Sequence, residues 1–209
     1  MFLNTVDKQL LLLMDSLSIR PEIADHFYLA GGTGLALQLG HRASVAIDLF
    51  TPEQFNLERI TTAIIELGGQ VIQSEVGTVH GLVNGVKISF LFYPYPLLQP
   101  FYTFHGIRLA SIEDIAAMKA VAISQRGDKK DFYDMYEILK TMKPLNLKNL
   151  FLEKFSKARI NCYHILKSFF YFDVADQQPD PISLNGTSWG QVKCYFVEHE
   201  KELMLALVC

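Results

Sequence analysis

The chain has 209 residues, half of them hydrophobic and a fifth charged, with a net charge of −3, enough for a substantial core in one compact unit or one domain with a helical extension. The acidic balance excludes a broad basic coat for nucleic acid, although a local basic site needs only a few Lys and Arg. Three widely spaced cysteines (Cys162, Cys194 and Cys209) without a Cys-x-x-Cys pair argue against a disulfide framework or zinc site and point to a reducing cytoplasm. No apolar run approaches the roughly 20 residues that span a bilayer, and no basic-then-apolar leader opens the chain, so a cytoplasmic protein without membrane contact is expected.

In chain order, Leu10, Leu13, Met14 and Leu17 recur at helical spacing within residues 3–17. Residues 27–30 read as a short apolar strand, broken by Gly31-Gly32. Thr33 is placed to cap a helix running to Gly40, and residues 45–50 read as a second strand. Thr51, Pro52 and Gln54 have the order of an N-cap, a first helical residue and a capping-box partner, which predicts a helix to about Leu67. Three strands follow near residues 71–76, 79–83 and 86–92, with Asn84-Gly85 as a hairpin turn. Tyr93-Pro94-Tyr95-Pro96 ends the sheet, because proline cannot donate to a ladder. From Ser111, paired with Asp114 as a cap, the pattern is helical: to about Gln125, from Asp128 to about Met142, and over residues 147–157, 161–172 and 189–207, with a loop at 173–186. The expected class is α+β, with a small mixed sheet and helices in residues 1–105 and a helical half, residues 106–209, packed on it.

Chemistry concentrates at Gly31-Gly32-Thr33 and at Ser44-Val45-Ala46-Ile47-Asp48. A Gly-Gly turn at a helix N-terminus lets backbone N–H groups approach phosphates. Residues at i and i+2 of a strand face the same way, so two carboxylates so spaced can share a Mg²⁺ cluster that neutralises charge on a transferred nucleotide. Here Ala46 and Asp48 occupy that pair, and only Asp48 can bind a cation; Ser44 faces the same side. A second cluster lies on the helices: Lys119 and Arg126, seven apart on one face, then Lys130, Asp131 and Asp134 at i, i+3 and i+4 spacings. Lys119 sits among apolar neighbours, and a basic group near a triphosphate can bind departing pyrophosphate. Against this, Asp131 can complete a cap, Lys130–Asp134 can be a surface ion pair of small value, and His41-Arg42 reads as a partly exposed helix end. No His spacing suits a metal.

Longer strings extend the pattern: Tyr28 to Thr33, Leu37 to Arg42, Asn84 to Phe90, Tyr93 to Leu98, Ala110 to Lys119 and Arg126 to Phe132. With these, residues 27–188 resemble the nucleotidyltransferase-like AbiEii/AbiGii toxins of abortive-infection, type IV toxin–antitoxin systems. The resemblance implies a polymerase-β-like core with a helical C-terminal half, NTP as substrate, Mg²⁺, an RNA (in some relatives tRNA) or protein acceptor, and a cognate antitoxin. It places Gly32, Thr33 and Ser44 at phosphates; Gly31 in the same turn and the basic Arg126 and Lys130 are read from the residues themselves as further phosphate ligands. Asp48 becomes the second metal carboxylate, and Lys119 and Asp131 become later active-site residues. The family pattern has an acidic residue where this chain has Ala46. Ala46 therefore marks a degenerate relative or an inactivating substitution, with transfer lost or impaired, and a non-catalytic nucleotide- or partner-binding module is the alternative.

Overall fold

The computed structural model describes residues 1–158 and 160–207, without the Leu207 side chain. A 3₁₀ turn at Leu3–Thr5 precedes α1 (Lys8–Ser18) and α2 (Pro21–Ala24). Next come β1 (Tyr28–Leu29), α3 (Gly31–Leu39), β2 (Ala46–Thr51), α4 (Leu57–Glu66) and the strands β3 (Gln70–Glu75), β4 (Thr78–Val83) and β5 (Val86–Phe92). A hairpin, β6 (Tyr102–Phe104) and β7 (Ile107–Leu109), leads into α5 (Ile112–Arg126), α6 (Lys129–Thr141), α7 (Pro144–Lys154) and α8 (Cys162–Ser168). A single turn, α9 (Asp173–Asp176), precedes α10 (Trp189–Glu198) and α11 (Glu200–Leu207).

The strands form one seven-stranded mixed sheet in the order β3-β4-β5-β2-β1-β7-β6. β2 runs parallel to β5, and β1 parallel to β7. Two cores follow from strand alternation, since neighbouring residues face opposite sides. Leu29, Ile47, Leu49, Ile88 and Phe90 pack with α1 and α4 on one face. Tyr28 and Phe50 turn to the other face and meet the helical half through α5, α6 and α7. On that second face, Ala46, Asp48, Ser89 and His80 are only half-buried and Lys87 is exposed. The helical half thus covers one end of the sheet and leaves a polar window over β4, β5 and β2.

The Asn84-Gly85 turn has both residues at positive φ, 49° and 82°, the geometry of a tight primed hairpin. Ser111 caps α5 through Asp114 N at 3.0 Å, and Gly127 closes that helix in the left-handed region. Four local expectations are corrected. Thr51 is the last residue of β2 and α4 starts after Asn56, whose Oδ1 accepts from Arg59 N at 3.1 Å. Thr33 is internal to α3, which begins at Gly31. The proline run ends β5 but not the sheet: β6 and β7 return so that Leu109 pairs with Leu29, using the free edge of the two-residue β1. That hairpin runs across residue 105 and keeps the sheet going to Leu109. Finally, Cys162 is disulfide-bonded, against the expectation of reduced thiols; Cys194 is free and exposed, and Cys209 lies outside the described residues.

A buried ion pair fixes the crossing from sheet to helices. Asp114 Oδ1 and Lys154 Nζ are 2.7 Å apart, both fully buried. Asp114 also accepts from Leu98 N and Gln99 N, while Lys154 donates to the Pro96 carbonyl. The loop after β5 is therefore pinned to α5 and α7 at once. Removing one partner of a buried pair strands the other charge. Asp114→Ala is expected to cost about 3–5 kcal/mol in chemical denaturation, and Lys154→Met clearly less, because Leu98 N, Gln99 N and the Ser111 hydroxyl continue to hold the carboxylate.

Candidate active site

The site is built where β1 gives way to α3. Gly31 takes φ +64°, and a Cβ there would lie 3.3 Å from Asp48 Oδ2, so the Asp48 carboxylate packs directly on the turn. Ala30 N donates to the Asp48 carbonyl at 3.2 Å, which fixes the turn against β2. A Cβ at Gly32 would collide with the Arg42 guanidinium. Both glycines are therefore required, one by backbone angle and one by close approach. Thr33 Oγ1 lies 2.7 Å from Ser44 Oγ and also bonds the Ala46 carbonyl, so these two hydroxyls tie the first turn of α3 to the start of β2.

The Asp48 side chain has no hydrogen bond or ion pair among the described residues. Ala46 lies two residues before it on the same face, opposite Lys87 on β5; Asp48 lies opposite Ser89. Ser89 in turn meets His80 Nδ1 at 3.0 Å. One carboxylate thus faces the mouth. Among the described residues, no group of three or more His, Cys, Asp or Glu side chains could hold a metal.

Behind the turn lies a buried network of charges. Asp134, fully buried, accepts from Arg42 Nε at 2.7 Å and Nη2 at 2.9 Å, from His41 Nε2 at 2.7 Å, and pairs with Lys119. Lys119 Nζ also reaches Asp131 Oδ1 at 2.6 Å. Asp131 then takes the Arg126 guanidinium side-on, at 2.7 and 2.9 Å. Arg126 is half-exposed, and Asp48 adds to the negative field acting on it. Burial alone would push both carboxyls up. Arg42 and Lys119 instead hold Asp134 well below the usual carboxylate range, and Lys119 with Arg126 hold Asp131 below it. Burial opposes the Lys119 charge, but the two aspartates outweigh it and raise its pKa.

Gly31, Gly32, Thr33, Ser44 and Asp48 are therefore gathered at one mouth, and Arg126 on the helical half feels the Asp48 charge. Lys119 and Asp131 lie behind Arg126, saturated by one another and by their neighbours. Lys130 stands apart, exposed, with Asp128 3.8 Å away. Sequence reasoning missed His41 and Arg42, which are buried at 2 % and 4 % exposure rather than forming a partly exposed helix end. It also grouped Asp134 with Lys130, whereas Asp134 serves the loop. The available signal was that Lys119 on an apolar face demands carboxylates, and two carboxylates leave room for a second cation.

The family model described as nucleotidyl transferase AbiEii toxin, type IV toxin–antitoxin system, matches residues 12–187. The chain belongs to the AbiEii nucleotidyltransferase toxin family. An uncharacterized protein of Aquifex aeolicus, aq_aa25, is 38 % identical over 190 residues, covering 87 % of this chain and 90 % of its own length. Among solved structures, MenT4, the nucleotidyltransferase toxin Rv2826c of Mycobacterium tuberculosis, superposes with a TM-score of 0.57 at 16 % identity, over 95 % of this chain and 91 % of its own. The antibiotic-resistance factor ANT(2'')-Ia does so at 0.55 and 15 % identity, over 72 % of this chain and 94 % of its own. At such identities these two likenesses establish the fold alone, which is that of nucleotidyltransferases. In this AbiEii-family chain no described helix is long and apolar enough to cross a membrane.

The network sets a pH dependence of stability. Asp134 and Asp131 have folded pKa values below that of an unfolded aspartate, about 3.9. Their contribution is whole above about pH 4 and is lost as pH falls from there toward the folded values. Asp134→Asn leaves Arg42 and Lys119 with one buried carboxylate between them. Its unfolding free energy at pH 7 is expected to drop by about 3–5 kcal/mol. Between pH 5 and strongly acid conditions its urea midpoint should fall less steeply than the parent's, a difference measurable by circular dichroism.

Proposed function

We propose that this chain seats a nucleoside triphosphate with its phosphates on the Gly31–Thr33 turn, and that its fold serves transfer of a nucleotide from NTP to an RNA, tRNA included, or protein acceptor. The observation supporting this reading is the packing of the Asp48 carboxylate against Gly31. It puts the residue able to hold a cation beside the backbone N–H groups that favour phosphate. Thr33 and Ser44, whose hydroxyl protons go to the Ala46 carbonyl and to Thr33 Oγ1, would serve the phosphates by bracing the turn, and the backbone N–H groups of the turn would meet the phosphate oxygens. Arg126 would face the departing pyrophosphate, where a fixed positive charge stabilises the charge that develops on the leaving group. Lys119 and Asp131 enter transfer by holding Arg126 in place. Lys130, exposed, would contribute only at the rim.

Mg²⁺ would supply charge neutralisation and alignment of the phosphates. Tested against the donor set present, a two-ion centre does not fit: Asp48 is a single carboxylate, Ala46 offers nothing, and the opposite strand presents Ser89 and Lys87. In the chain as it stands transfer is therefore impaired, and nucleotide binding is the activity that the remaining groups support. The same Ala46 favours the second reading, a non-catalytic nucleotide- or partner-binding module. Type IV toxin–antitoxin membership implies an antitoxin partner, and we place the pair in the cytoplasm.

Ala46→Asp creates the i, i+2 carboxylate pair on one face of β2. It is expected to raise incorporation of labelled NTP into tRNA or protein by on the order of a hundredfold, and to slow growth of cells expressing it. A variant that is folded yet neither labels either acceptor nor slows growth would rule out the enzymatic reading. NTP binding by the parent chain would then support the binding module.

A further inference from the structure

We infer that the trough between the C-terminal half of α5 and α8 is the nucleobase slot of this site, with Tyr93 as its stacking wall and Gln125, Asn161 and His164 selecting the base. The inference deepens the proposed function and rests on it. Two cavities of about 580 and 310 Å³ adjoin there and share Ser124, Gln125 and His164 in their walls. The larger is bounded by Arg126 and Lys167; the smaller is bounded by Tyr93 and Tyr95. One end of the trough therefore holds the cation that serves the Asp48 mouth, and the other end is aromatic.

The path between them follows the sheet. Phe50 lies two residues beyond Asp48 on the same face of β2, about 7 Å along the strand. The Tyr93 ring packs edge-on against Phe50 at 5.7 Å, and Tyr95 against Tyr93 at 4.8 Å. A nucleotide with its α-phosphate at Asp48 and its triphosphate on Gly31–Thr33 has this one aromatic step beside it. Stacking on aromatic rings accepts any base, so discrimination falls to the hydrogen-bonding groups around them.

Those groups are unspent. Asn161 uses Oδ1 to cap α8 at His164 N, 3.1 Å away, leaving its amide NH₂ free to donate. The Gln125 amide and the His164 ring have no partner among the described residues. The Ser124 hydroxyl donates to the Val121 carbonyl at 2.8 Å and keeps only an accepting oxygen. Two amides and an imidazole, none needed for packing, ring a cavity with aromatic walls. That is the complement of a base edge read by donor and acceptor pattern. The Lys167 ammonium lies over Tyr163, 4.6 Å from the ring centre, and marks the basic end.

Calorimetry of the full chain with each of the four common NTPs and Mg²⁺, in parallel with inorganic tripolyphosphate, tests the slot. The parent should bind the four NTPs unequally. Gln125→Ala and Asn161→Asp, the latter keeping the helix cap, should each weaken the preferred NTP by about fivefold and flatten the preference, with tripolyphosphate affinity unchanged. If both folded variants bind all four NTPs as the parent does, the slot is overturned while the phosphate site stands. An equal loss for tripolyphosphate also overturns it, by assigning these residues to the phosphates. A parent that binds neither NTP nor tripolyphosphate overturns the slot and the triphosphate site together.

Discussion

A carboxylate with no access to solvent must be matched by charge and hydrogen bonds, and in this protein Asp134 is matched by groups from two separate parts of the chain. Arg42 and His41 come from the loop between α3 and β2, and Lys119 comes from α5. Once that group is buried, the loop cannot move without stranding a charge. The Arg42 guanidinium fills the space that a Cβ of Gly32 would need, so the Gly31-Gly32 turn sits directly on the network. A later segment closes the other side: Ala43 N donates to the Ile182 carbonyl and Leu184 N to the His41 carbonyl. The turn is thus held by residues far from it in sequence.

The same network divides labour at the mouth. Asp131 is consumed in holding Arg126, which stays half-exposed within the field of Asp48. Charge at the site therefore comes from both halves: one free carboxylate on the sheet and one steered cation on the helices. Ala46, on the same face as Asp48, adds no charge, and around it stand the hydroxyl ties, the Gly31 conformation and the buried ion-pair network. The identity of the side chain at position 46 bears little on this scaffold, because Ala46 is half-buried and its carbonyl alone serves the Thr33 bond.

Much of the fold was legible from periodicity and punctuation. The Asn84-Gly85 hairpin, the Ser111 cap and the Gly127 stop rest on backbone angles and hydrogen bonds within a few residues, and such signals are local. The Asp48 position and the Gly-Gly turn were legible for the same reason. The β6–β7 hairpin was not. Its strands are three residues long, and β7 exists because β1 leaves an edge open. The start of α4 was misplaced because Thr51-Pro52 and Asn56 are both chemically competent to open a helix, and pairing of Thr51 with Phe92 in β5 gave the first to the strand.

Residue types alone determined that Ala46 and Asp48 share one face of a strand, since spacing of two residues on a strand leaves no freedom about which way side chains point, whereas the packing of Asp48 on the Gly31 turn came from the pairing of β1 with β2. They also marked Lys119 as out of place on an apolar helix face and grouped it with Arg126, Asp131 and Asp134. Only the tertiary structure decided that Lys119 pairs with both Asp131 and Asp134, with His41 and Arg42 drawn inside and Lys130 left outside. Ion pairing across ninety residues depends on how helices pack against the sheet, and no local spacing encodes that.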